Sequence, residues 1–111
     1  MVAAAAAAEA RFPGTHATAF GHLGDGNVHF HVRAPTGADP ARWYAEDAPV
    51  VTRFVHDAVT AAGGSISAEH GIGTAKKPYL SYARSPEEIA LMRTLKAALD
   101  PQNLLNPGKV I

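Results

Sequence analysis

Gly24-Asp25-Gly26-Asn27 is the segment that most limits what this chain can fold into. Glycine and asparagine tolerate positive φ, so these four residues predict a tight reversal. Residues 15–22 carry the strand formers Thr15, Thr18 and Phe20, and residues 28–33 read as the return strand. A two-residue loop at Asp25-Gly26 would set Gly24 opposite Asn27, Leu23 opposite Val28 and His22 opposite His29. Directly opposed residues hold their Cβ atoms about 4.5–5.5 Å apart on one face. His31 lies two residues beyond His29 and shares its face, whereas Val28 and Phe30 point the other way, toward a core.

Two imidazoles brought together by their own turn suit a borderline divalent ion such as zinc. The chain has no cysteine, so a third protein ligand has to be a carboxylate or another histidine. Three protein ligands with one open position is the pattern of a catalytic metal. The plain alternative is a pair of partly exposed histidines on a sheet surface.

The other elements follow from local patterning. Residues 2–11, with alanines 3–8, predict a helix that Pro13-Gly14 ends. Residues 40–62 predict a second helix, because Val51, Phe54, Val55, Ala58, Val59 and Ala62 keep the i, i+3, i+4 rhythm. Pro49 should split or kink it, and Gly63-Gly64 should end it. Residues 65–69 read as short and extended, with a turn at Gly71-Ile72-Gly73. Ser85, Pro86 and Glu88 spell a capping box for a last helix, whose Ile89, Met92, Leu95 and Leu99 share a face; Asp100-Pro101 stops it. The order helix–strand–strand–helix–strand–helix predicts an α+β fold, an antiparallel sheet with helices on one face.

Glu69-His70 stands between small residues at the end of the third extended segment. Neighbouring strand residues face opposite ways, so the two share a site only if the strand breaks there, as Gly71 allows. A carboxylate ligand beside a histidine base fits metal-assisted proton abstraction. A surface loop in which Glu69 pairs with Lys76 or Lys77 is the alternative.

Composition narrows the classes further. With 111 residues the chain suffices for one modest core. Ten basic residues balance ten acidic ones, which argues against a nucleic-acid partner. No stretch reaches the roughly 18 apolar residues of a membrane span. The alanine run lacks a basic leader and is followed by Glu9 and Arg11, so it does not read as a signal peptide; a cytoplasmic home is the default.

Three segments together carry a resemblance. Gly21-His22-Leu23-Gly24-Asp25-Gly26-Asn27-Val28-His29 resembles a G-H-x-G-D-G-N-x-H motif. Glu69-His70-Gly71-Ile72-Gly73-Thr74-Ala75-Lys76 resembles E-H-G-I-G-x-x-K. Asp100-Pro101 through Asn106-Pro107-Gly108-Lys109 resembles D-P-x-x-x-x-N-P-G-K. All three belong to the FAD-linked oxidases of the vanillyl-alcohol-oxidase type, among them D-lactate dehydrogenase, D-2-hydroxyglutarate dehydrogenase and the glycolate oxidase FAD subunit.

The resemblance implies a ferredoxin-like partial cap domain over residues 1–111. It implies His22, His29 and Glu69 as ligands of a divalent metal, zinc most often. His70 would be the base that deprotonates the 2-hydroxyl of a small 2-hydroxy acid while hydride passes to FAD. Asn27 and Lys76 would contact substrate, and Asn106 and Lys109 would lie toward the flavin. His31 stands where the family often has a substrate-contacting asparagine, so it is a further candidate contact or ligand. Asn103 stands where glycine is common, a mild change because asparagine also accepts left-handed geometry. The family's flavin-binding domain lies N-terminal to this region and is not in these 111 residues. The expectation is therefore a piece that needs a FAD-binding domain or subunit and is inactive alone. The alternatives are an inactive fragment that homodimerises and a stand-alone metal hydrolase using His70.

Overall fold

The computed structural model describes Val2–Ile111, in two compact units, one ending at Gly64 and the other spanning Ser65–Ile111.

In the first unit, α1 (Val2–Arg11) precedes the strands β1 (His16–His22) and β2 (Asn27–Arg33). Beyond β2 lies a nearly continuous helical stretch. It comprises α2 (Pro40–Arg42), a π-helical turn (Trp43–Asp47) and α3 (Ala48–Ala61). The two strands form an antiparallel sheet, so the α+β class holds. Val28 and Phe30 face the helices, as their alternation requires, and line a cavity of about 320 Å³ with Ala4, Phe54, Ala58 and Val59. Phe12 packs edge-on against Phe54, with ring centroids 5.4 Å apart. Helix α1 is tied to β1 by Glu9, whose Oε1 accepts from the Ala17 amide at 2.8 Å and lies 3.2 Å from His16 Nδ1.

The long helical stretch shows what Pro49 does. Proline cannot donate to the carbonyl four residues back and its ring crowds it. The turn before it widens instead, and Ala48 N–H bonds to the Trp43 carbonyl, five residues away. Asp39 caps the start, its Oδ1 accepting from the amides of Ala41 (2.8 Å) and Arg42 (3.1 Å). At the far end Gly63 is left-handed, with φ +73°. The amides of Gly63 and Gly64 return to Thr60 and Val59, both at 2.9 Å, which satisfies the last carbonyls.

The second unit departs from expectation at its start. Residues 65–69 do not form a strand: 66–69 are a turn, with Ala68 at φ +46° and the His70 amide bonded to the Ser67 carbonyl at 2.9 Å. The Ser65 hydroxyl accepts from the Ser67 amide at 3.2 Å, a local bond that competes with strand pairing. Among the described residues the sheet therefore has two strands. A 3₁₀ helix (Lys77–Tyr82), which the sequence patterning does not predict, buries Leu80. Helix α4 (Pro86–Leu99) has its full capping box: Ser85 Oγ accepts from the Glu88 amide at 3.2 Å, and Glu88 Oε2 accepts from the Ser85 amide at 2.8 Å.

The apolar face predicted for α4 is only half right. Ile89 and Met92 are half-buried, but Leu95 and Leu99 are exposed, at 52% and 80%. The half-buried position further along is Lys96, which pairs with Asp100 and donates to the Leu105 carbonyl. The returning tail thus covers the Lys96 side of the helix.

Candidate metal and substrate site

The hairpin positions the first group of candidate residues, in a register that differs from the predicted one. His22 lies opposite Asn27, Gly21 opposite Val28 and Phe20 opposite His29. The reversal uses a 3₁₀ turn, Leu23–Asp25, closed by Gly26 at φ +68°. A two-residue loop of the type common in hairpins would need left-handed geometry at both Asp25 and Gly26. The chain places it only on the glycine, and the loop grows to four residues.

The resulting shift is two residues, and an even shift keeps every side chain on its face. His22, Asn27, His29 and His31 therefore still share one face, with His22 and His29 diagonal rather than opposed. Diagonal neighbours stand roughly 7–8 Å apart at Cα, within reach of two long side chains. Phe20 joins them, a residue whose role local patterning missed. Its ring stacks on His29 and His31, with centroids 5.5 and 5.1 Å apart. His29 and Asn27 are half-buried, whereas His22 and His31 are exposed.

Gly21 is the hairpin's other requirement. A Cβ there would lie 2.4 Å from the Asn27 carbonyl oxygen and 3.0 Å from Val28 Cα, at φ +150°. The first glycine of the histidine motif thus permits the close strand approach beside His22.

The second group lies in the 66–70 turn. The break that Glu69 and His70 need is present: with Ala68 at φ +46° and Gly71 at φ +71°, Glu69 Oε1 lies 3.6 Å from His70 Nε2. Both side chains are half-exposed. Lys76 reaches back to the same turn, its Nζ 3.4 Å from the Ser67 carbonyl, while Lys77 Nζ lies 3.4 Å from the Gly108 carbonyl.

The tail is organised by Asp100, which local patterning read only as a helix stop. It is 8% exposed. Its carboxylate accepts from the amides of Leu104 (2.8 Å) and Leu105 (2.9 Å) and pairs with Lys96. The Lys96 ammonium first, and the Leu105 amide next, hold its pKa at about 2. Two asparagines turn the chain in left-handed geometry, Asn103 at φ +53° and Asn106 at φ +46°. Asn106 and Lys109 line one groove of about 390 Å³ with Met92, Leu95 and Ile111.

These motifs have close counterparts. A family model described as "FAD linked oxidases, C-terminal domain" matches residues 1–110, and the chain belongs to that family. It is 53% identical over 91 residues to a D-2-hydroxyglutarate dehydrogenase of Xanthomonas citri, covering 82% of this chain and 19% of that protein. The corresponding Stutzerimonas stutzeri protein is 45% identical, with the same coverage of each chain. A mitochondrial D-2-hydroxyglutarate dehydrogenase of Bos taurus is 41% identical over 96 residues, 86% of this chain and 16% of that one. The chain thus spans less than a fifth of the length of these relatives. No described helix is long and apolar enough to cross a membrane.

Proposed function

We propose that this chain is the metal- and substrate-binding C-terminal portion of an FAD-dependent dehydrogenase acting on a D-2-hydroxy acid. D-2-hydroxyglutarate is the leading substrate, because the relatives compared above carry that name. His22, His29 and Glu69 are the metal ligands in this reading, and zinc suits two imidazoles and a carboxylate. The observation that carries it is the single hairpin face shared by His22, Asn27, His29 and His31. A divalent ion would polarise the substrate's hydroxyl oxygen, and FAD would accept the hydride.

The chain's own residues do the rest. His70 accepts the proton of the 2-hydroxyl on an imidazole nitrogen. Asn27, His31 and Lys76 orient the substrate's polar groups. Asn106 and Lys109, on their common groove, face the flavin-binding partner, which is a domain or subunit outside these 111 residues.

Metal analysis tests the ligand set. Protein prepared free of chelators and then loaded with zinc should retain about one equivalent after dialysis, and His22→Ala should retain far less. Equal retention by the two proteins rules the site out.

A further inference from the structure

Phe20 is an aromatic residue on the histidine face of the hairpin. Strand alternation puts Thr18, Phe20 and His22 of β1 on the face that β2 supplies with Asn27, His29 and His31. Val28 and Phe30 point to the opposite face and line the cavity with Phe54 and Val59, so Phe20 takes no part in that packing. What its ring touches is imidazole. Its centroid lies 5.5 Å from that of His29, with 25° between the planes, and 5.1 Å from that of His31, with 26°. Both pairs are stacked, at separations where aromatic rings attract each other beyond the area they bury. The register makes these contacts local, since Phe20 is directly opposite His29 and diagonal to His31.

Taking His29 as a ligand, as proposed above, we infer that Phe20 is a positioning residue of the metal site, whose ring holds the His29 imidazole in the orientation that meets a divalent ion. A metal lies in the plane of the imidazole that binds it, so the ring's rotation decides where the nitrogen lone pair points. An imidazole on a strand face can turn about χ1 and χ2, and ordering it on binding costs affinity. The stack on Phe20 sets the plane of the ring before the ion arrives. It contacts the face of the imidazole, whereas a metal is bound at the edge, so the two do not compete. The face of a phenyl ring also carries partial negative charge, which favours an imidazole that gains positive charge when it binds a cation. His31 leans on the same ring and restrains it in turn. Partners that orient a ligand in this way tune metal affinity without touching the metal.

Zinc titration of the 111-residue chain against a competing chelator tests this. Phe20→Ile keeps the strand propensity and removes the ring, so it should bind zinc about three- to tenfold more weakly with unchanged circular dichroism. Phe20→Tyr keeps the ring and should bind within about twofold of wild type. Cobalt(II) in place of zinc reports ligand geometry in its visible absorption, which should change in Phe20→Ile and not in Phe20→Tyr. In the wild type, the proton resonances of the Phe20 ring should move when zinc is added, a readout that needs no variant and decides the matter if Phe20→Ile fails to fold. Wild-type affinity and an unchanged cobalt spectrum in Phe20→Ile overturn the inference. So does a Phe20→Tyr protein as weak as Phe20→Ile, or a Phe20 ring that zinc does not move. Failure of the ligand set itself reads differently: wild type and His22→Ala then retain zinc equally, whatever stands at position 20, and the inference falls with it.

Discussion

Gly21 shows how much one position can set for the site. It has no Cβ to strike the Asn27 carbonyl, so β1 and β2 approach closely where His22 and Asn27 are paired. Gly21→Ala should cost on the order of 2–3 kcal/mol, from backbone strain and overpacking together. The check is a denaturant midpoint, together with a fall in zinc retention as the hairpin loosens. Asp100 acts by charge rather than shape. Its pKa, about 2 in the folded chain against an ordinary 3.8, is depressed. A depressed acid stabilises the fold above its unfolded pKa, and that contribution is lost as pH falls through the folded value. Stability of the C-terminal unit should therefore decline between about pH 4 and pH 2. Asp100→Asn should flatten that decline, as read by denaturant titration at each pH.

At the scale of elements, α4 follows its local code at the start and its surroundings at the end. Ser85, Pro86 and Glu88 satisfy the first amides without outside help, which is why its N-terminus is legible in sequence. Ser85→Ala removes one half of the box and should cost about 1 kcal/mol, measurable as a lower melting temperature with unchanged helix content. Its apolar face is another matter. Leu95 and Leu99 fit the helical rhythm yet stand exposed, because the tail returns along Lys96 and Asp100. The Pro49 disturbance was legible as a kink, but its form as a π turn over Trp43–Asp47 was not. That choice depends on which carbonyl the Ala48 amide can reach, a detail of three-dimensional crowding.

For the whole molecule, family membership is shown by the match over residues 1–110, and local chemistry explains the three motifs within that span only in part. The hairpin face, the Glu69–His70 turn and the Asp100 tail are each built within a few residues of chain. Each is legible as a motif for that reason. The third strand expected at residues 65–69 is absent because extended backbone needs a partner, and Ser65, Ser67 and Ala68 offer the chain a local turn instead.

The sequence by itself determined the hairpin, the face on which the histidines lie, the helix caps and the break at Glu69-His70. These depend on φ preferences, side-chain alternation and capping groups close in the chain. Tertiary structure alone decided the register that sets Phe20 rather than His22 opposite His29. It also decided the exposure of Leu95 and Leu99. The physical reason is shared: each is settled by which of several locally acceptable arrangements lets strands, helix and tail satisfy their hydrogen bonds together. No short window of residues contains that competition.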